Sequence, residues 1–161
     1  MRRAAVLMVA TGGGAGFAPI APGTFGSLVG IGLFVGIAGR GALVVFLAAA
    51  LATGLGIWAA QEAERIFGQC DDGRIVIDEV AGQLVALCPL ALLVPPERAV
   101  APLPLLVAFL AFRGFDIAKP GPIGWAERSF SGGRGVMFDD LVAGACAGLV
   151  VAGAVLAGVA S

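Results

Sequence analysis

The sequence predicts an all-α bundle of about four to five membrane-embedded helices, and three observations carry that fold class. First, 59% of the 161 residues are apolar and 13% are charged, where soluble domains run to about 45–50% and about a quarter. Second, residues 4–39, 41–61, 80–96, 99–112 and 141–161 contain no charged side chain. Third, the remaining charges gather at the ends of those runs, where helices would leave lipid. The 26 glycines agree, because small residues let helices approach closely in a bilayer.

The runs justify the helices one by one. A transmembrane helix needs about 20 apolar residues at 1.5 Å each. Runs 41–61 and 141–161 meet that outright, and 80–96 lies at the short limit. Runs 24–39 and 99–112 are shorter and need their flanks to span, or one of them re-enters. Ahead of them, Arg2 and Arg3 precede the short apolar stretch AAVLMVAT and the glycines Gly12–Gly14. That pattern reads as an interfacial helix rather than a cleaved segment. Pro19 and Pro22 interrupt any helix before Thr24 and Ser27, either of which can cap the next one. The free N–H groups of that helix start suit a phosphate, although an ordinary capped loop explains it as well. Gly68 and Gly73 mark a loop, and Pro95, Pro96, Glu97 and Arg98 a tight turn. No internal repeat or linker is visible, so residues 1–161 read as one domain.

Five crossings would place the 16–27, 62–79 and 113–140 segments on one face, and Arg40 and the 95–98 turn on the other. The first face would carry Arg2, Arg3, Arg65, Arg74, Arg113, Lys119, Arg128 and Arg134, and the second only Arg40 and Arg98. The positive-inside rule makes the first face cytoplasmic. A net charge of −1 offers no basic surface for nucleic acid. The absence of histidine removes Ser-His-Asp catalysis, histidine phosphatase chemistry and histidine metal ligands together. Cys70, Cys88 and Cys146 form no C-x-x-C pair and read as inert thiols.

The chemistry concentrates in RGFDIAKPGPIGWAERSFSGGRGVMFDD, residues 113–140, and in the loop ending at Asp78 and Glu79. Asp78 and Glu79 open one apolar helix, Asp139 and Asp140 open another, and Asp116 follows a third. Taken singly, each pair has a plain explanation, because a carboxylate gains about 0.3–1 kcal/mol at a helix N-terminus. Three groups at one membrane depth would repel one another, and ionisable groups beside apolar helices are costly. A hard cation with oxygen ligands resolves that repulsion, and Mg²⁺ is the usual choice beside phosphate. Asp78, Glu79, Asp139 and Asp140 are its candidate ligands.

Arg113, Asp116 and Lys119 stand at i, i+3 and i+6, so a continued helix would present them on roughly one side. Arginine offers phosphate a bidentate fork and lysine a point charge. Arg134 lies in SGGRG, whose glycines let backbone N–H groups approach an anion. Arg113, Lys119, Arg134 and Thr24 are therefore the candidate substrate-binding residues. The plain alternative for the cations is snorkelling to lipid headgroups. Glu62, Glu64 and Arg65 read as a solvated helix end, and Trp58 and Trp125 as interface anchors. The sequence has no D-x-D of the aspartyl-phosphate phosphatases, no C-x-x-x-x-x-R loop and no CDP-alcohol transferase spacing.

The stretches APGTFGSL, IVIDEVAG, FRGFDIAKPGPI and GGRGVMFDDLVAG resemble the bacterial phosphatidylglycerophosphatase A family, in the family's order, over about residues 14–150. The resemblance implies a helical, Mg²⁺-dependent phosphatase of the bacterial inner membrane. Such an enzyme takes the terminal phosphate from the phospholipid phosphatidylglycerophosphate to leave phosphatidylglycerol. It carries over the acids Asp78, Glu79, Asp116, Asp139 and Asp140 and the cations Arg113 and Lys119. Asp116, Asp140 and Lys119 are the candidate catalytic residues, with Asp116 either completing the metal shell or orienting the attacking water. Asp72 stands where the family's loop often has proline, which favours Asp71 of that pair. Two rivals are a transporter or cation pathway, which would bury its acids at mid-membrane, and a CDP-alcohol-type transferase, which would consume a nucleotide-activated lipid.

Overall fold

A computed structural model describes residues 2–121, 123–125 and 133–159, with Gly133 and Arg134 described in their backbone only. Every regular element among the described residues is helical. The helices are α1 (Arg2–Ala10), α2 (Pro22–Ile37), α3 (Ala42–Phe67), α4 (Ile77–Leu93), α5 (Pro96–Ala99), α6 (Pro102–Ala118) and α7 (Gly133–Leu156).

Three segments are long and apolar enough to cross a membrane: Pro22–Arg40, Ala42–Phe67 and Gly135–Leu156. Run 24–39 therefore reaches spanning length through the flanks it was expected to need. The 26 residues of α3 make about 39 Å, so its polar end, with Glu62, Glu64 and Arg65, extends beyond an apolar core of about 30 Å. Helices α4 and α6 have 17 residues each, or about 26 Å, and run alongside the three long ones. α4 is the central helix, packed by α2, α3, α6 and α7. Eleven of its residues are buried. Walled off by its neighbours, it does not need the long lipid-facing run that α3 and α7 carry.

Most of the charged residues among those described lie at one end of this bundle. The start of α2, the end of α3, the start of α4, the end of α6 and the start of α7 line one cavity. These five helices therefore alternate in direction, and α4 runs parallel to α7. At the other end, α5 packs on the turn that holds Arg40. The short helix α1 lies on α3 with Val6 and Ala10 buried, and Val76 N–H donates to Ala10 O at 2.9 Å. Its nine residues are too short to cross a bilayer, as expected of an interfacial helix.

Three local expectations fail. Asp139 and Asp140 do not open the last helix, because α7 begins six residues earlier, at Gly133, and carries them two turns in. The residue that caps α2 is Ala21, in a left-handed conformation (φ 49°, ψ 55°) with no side-chain cap bond. Pro22, with its φ already set for a helix, takes the first helical position. Thr24 sits within the first turn, and Ser27 spends its hydroxyl on Gly23 O at 3.0 Å. Helix α6 also stops at Ala118 rather than continuing past Lys119. Lys119 turns left-handed (φ 42°, ψ 50°) as the C-cap, its N–H bonded back to Phe115 O. Pro120 follows and has no N–H with which to prolong the helix.

α4 and α7 touch backbone to backbone. A Cβ on Gly82 would stand 2.6 Å from Asp140 O and 2.6 Å from the Phe112 ring, and one on Gly144 would run into Gly82 O. Gly82→Ala is therefore expected to push α7 and α6 away from α4, at the roughly 1–3 kcal/mol typical of overpacking. A lower melting temperature of the purified variant in detergent checks this.

Candidate active site

The cavity at the polar end has a volume of about 480 Å³. Seven carboxylates line it, Glu64, Asp71, Asp78, Glu79, Asp116, Asp139 and Asp140, against the two cations Arg113 and Lys119. Helix phase explains how the most buried acids meet. Residues i and i+4 share a helix face, so Asp78 lies above Gly82 on α4 and Asp140 above Gly144 on α7. Those glycines are where the two parallel helices touch, so the acids one turn nearer the N-termini converge. Asp78, Glu79 and Asp140 each offer a carboxylate oxygen, all within 4.8 Å of one another. The faces that meet belong to two copies of one short pattern, DEVAG at 78–82 and DLVAG at 140–144. The reading that the chain has no internal repeat missed this pair, and five residues of self-similarity were the only signal for it.

The remaining site residues divide into pairs. Arg113 donates through Nη1 to Asp116 Oδ2, and the same nitrogen lies 4.0 Å from Glu79 Oε1. Lys119 Nζ donates to Asp139 Oδ2 at 2.7 Å. The turn that ends α6 at Lys119 is what sends this ammonium toward α7. Asp139 is therefore held by Lys119 and stands outside the three-carboxylate cluster, although its Oδ1 is buried with no hydrogen-bond partner among the described residues. Among those residues, no Lys or Arg forms an ion pair with Asp78 or Asp140. Asp116 lines the same cavity.

Ala21, Pro22 and Gly23 bring the start of α2 to the cavity, and Thr24 is not among its lining residues. Gly23 leaves room for two site side chains, because a Cβ there would displace the Glu79 carboxylate and lie 3.2 Å from Arg113 Nη1. The side chain of Arg134 and all of Arg128 lie outside the described residues. Glu64, read from sequence as part of a solvated helix end, faces the cavity instead, and its Oε1 accepts from Asp71 N–H at 2.9 Å. Its neighbours Glu62 and Arg65 do form an outward ion pair at 2.7 Å. Nothing in the sequence separates Glu64 from them except helix phase.

Asp71 and Asp72 part company, as the departure at Asp72 suggested. Asp71 lines the cavity. Asp72 turns to Arg74, accepting from Nε at 2.7 Å and from Nη2 at 2.6 Å, while the guanidinium lies 3.8 Å over the Phe67 ring. Arg74's hydrogen bond holds the Asp72 carboxyl below the usual carboxylate range, against the opposing effect of burial.

The donor set suits a metal of a particular kind. It is all carboxylate oxygen, with no nitrogen or sulfur, which fits a hard cation such as Mg²⁺, Ca²⁺ or Mn²⁺. Asp139 Oδ1 is buried without a protein partner among the described residues, which agrees with a cation beside it.

Fold and site together define an α-helical membrane protein with an acidic, cation-flanked cavity at one end of its bundle. The phosphatidylglycerophosphatase A family model matches residues 8–155, and the chain belongs to that family of phosphatases. It is 35% identical over 137 residues to the Escherichia coli phosphatidylglycerophosphatase A, covering 85% of this chain and 76% of that one. It is 36% identical over 145 residues to the Haemophilus influenzae protein of the same name, covering 89% and 85%. A Bacteroides thetaiotaomicron protein named "Putative phosphatidylinositol-3-phosphatase" is 37% identical over 156 residues, covering 91% of each chain. No solved structure matches the chain.

The Asp72–Arg74 pair sets a pH expectation. A carboxyl with a lowered folded pKa stabilises fully above its unfolded value and loses that contribution as pH falls through the folded pKa. The melting temperature of the native chain should exceed that of Asp72→Asn at neutral pH. The gap should begin to narrow as pH drops below the unfolded value of about 3.9 and vanish below the lower folded value. Melting curves of both proteins across that range check it.

Proposed function

We propose that this chain hydrolyses the terminal phosphate monoester of phosphatidylglycerophosphate, releasing phosphatidylglycerol and inorganic phosphate, with Mg²⁺ as cofactor. The observation that carries the reading is the meeting of Asp78, Glu79 and Asp140 beside Arg113 and Lys119 at one end of a membrane bundle. The family and the names of the E. coli and H. influenzae relatives support this substrate.

Asp78, Glu79 and Asp140 would hold the cation, with Asp139 Oδ1 as a further oxygen. Bound Mg²⁺ would polarise the monoester and neutralise charge that develops on it. Arg113 and Lys119 exchange their carboxylate partners for phosphate oxygens as substrate enters. Asp116, released from Arg113, orients the attacking water. The water oxygen adds to phosphorus, the bond from phosphorus to the glycerol oxygen breaks, and one proton of that water ends, by way of solvent, on the departing glycerol oxygen. The start of α2 adds the positive end of its dipole, and Arg134 is a further phosphate-binding candidate beside the glycines of its loop. The acids stand at the start of α4, at the end of α6 and two turns into α7, nearer one end of the bundle than its middle, which favours a surface enzyme over a cation pathway.

The site end faces the cytoplasm of a bacterial inner membrane in this reading. Arg2, Arg3, Arg65, Arg74, Arg113 and Lys119 belong to that end, and Arg40 and Arg98 to the other, which supports the orientation. The B. thetaiotaomicron relative motivates a second reading, in which the monoester sits on an inositol ring. Phosphate release from the two lipids, measured side by side, separates them.

Two outcomes are expected of the purified protein. Phosphate release from phosphatidylglycerophosphate should stop with chelator and return with added Mg²⁺. Asp140→Asn should lower release at least about 100-fold while the variant still inserts in the membrane fraction. Full activity in that variant would remove Asp140 from the mechanism.

A further inference from the structure

Gln83 lies one turn below the acid cluster, on the face of α4 turned to α2. It is completely buried, at 0% exposure, and neither its Nε2 nor its Oε1 has a hydrogen-bond partner among the described residues. One turn nearer the cavity, Glu79 Oε2 is buried and likewise without a partner. Residues four apart on a helix are neighbours, with Cβ atoms about 5–6 Å apart, so these orphaned groups adjoin.

α2 closes over both of them. A Cβ on Gly26 would stand 3.3 Å from Glu79 Cβ, and one on Gly30 would stand 3.0 Å from Gln83 Cβ. Ser27 belongs to the same buried stripe of α2 and is itself at 0% exposure. Its hydroxyl donates to Gly23 O, which leaves the oxygen free to accept. An amide and a carboxylate oxygen without partners are costly inside a bilayer protein, and an apolar side chain of similar shape would avoid that cost. Buried polar groups so arranged are met by ordered water with two to four polar partners.

We propose that Gln83, Glu79 Oε2 and Ser27 Oγ enclose one ordered water, and that through it Gln83 is a positioning residue for Glu79. The water accepts from Gln83 Nε2, donates to Glu79 Oε2 and donates again to Ser27 Oγ or Gln83 Oε1. Glu79 Oε2 is thereby anchored below the cavity. Oε1 is left beside Arg113 and Gly23, where the carboxylate cluster needs it. This inference rests on the reading of that cluster as the catalytic cation site.

The test compares the purified full chain with Gln83→Leu and Gln83→Met, the latter close to glutamine in shape in case the branched side chain does not fit. Two readouts are taken: phosphate release from phosphatidylglycerophosphate in mixed micelles, and the rise in melting temperature on titration with Mg²⁺, which needs no turnover. Loss of a partner behind a metal ligand costs about 10–100-fold. Both variants should therefore lose that much kcat, with KM changed less than about two-fold. Their Mg²⁺ titration midpoints should rise by a similar factor. Without metal, both variants should still show a cooperative melting transition, so that the shift in the Mg²⁺ midpoint is read on folded protein. Native kcat and a native Mg²⁺ midpoint in Gln83→Met would overturn the proposal, as would a fall in kcat with the midpoint unmoved. Failure of the native chain to release phosphate from this lipid would instead count against the substrate, and the Mg²⁺ titration would still report on Gln83.

Discussion

The parallel crossing of α4 and α7 at Gly82 and Gly144 is the contact on which the site depends. With a side chain at either position the backbones could not meet, and the acids one turn above would stand apart. Because the crossing lies four residues from Asp78 and from Asp140, the distance between the helices there sets the distance between the carboxylates. Phe112 of α6 packs against Gly82 at the same point, which fixes the next residue, Arg113, relative to both acids. In lipid no hydrophobic force drives helices together, so close packing of small residues has to hold them. The glycines therefore serve adhesion and site geometry at once.

What the crossing assembles is electrostatically unfavourable by itself. Among the described residues, seven carboxylates face two cations in one cavity. The two cations are already engaged, Arg113 with Asp116 and Lys119 with Asp139. The acids thus fall into two kinds. Asp116 and Asp139 are each paired with a cation, and in the proposed reaction they give those cations up to the phosphate. Asp78 and Asp140 have no basic partner among the described residues, and Glu79 has only the longer 4.0 Å approach of Arg113. Such an arrangement suits a ligand that brings a divalent cation and a phosphate together, since each charge it carries finds an opposite waiting.

The helical class, the run boundaries and the gathering of polar residues at one end were legible because all three follow from where charge is missing. Asp78, Glu79 and Asp140 were legible because carboxylates at the mouths of apolar helices are conspicuous. Glu64 was not, because a cavity-facing glutamate in EAER looks the same in sequence as its solvent-facing neighbour. Gly23 and Gln83 were missed for a related reason: a glycine among 26 and a lone amide in an apolar run gain meaning only from what packs against them. The turn at Lys119 was misread as continuing helix. The i, i+3, i+6 spacing was real, yet Pro120 ends the helix, and the left-handed cap turns the ammonium onto Asp139 by a different path.

The position of the cluster also bears on why it exists. Helix N-termini favour carboxylates by about 0.3–1 kcal/mol each at exposed sites, which is small beside the cost of burying like charges together. Asp78, Asp139 and Asp140 are buried nonetheless, so structural stability does not account for them. Sites that sacrifice stability are where function is to be sought. The depth is informative too. A phosphate attached to a lipid stays at the level of the headgroups, and drawing it to mid-bilayer would strip its water. Asp78 and Glu79 in the first turn of α4, and Asp139 and Asp140 two turns into α7, stand nearer one end of their helices than the middle, which suits a phosphate held at the level of the headgroups.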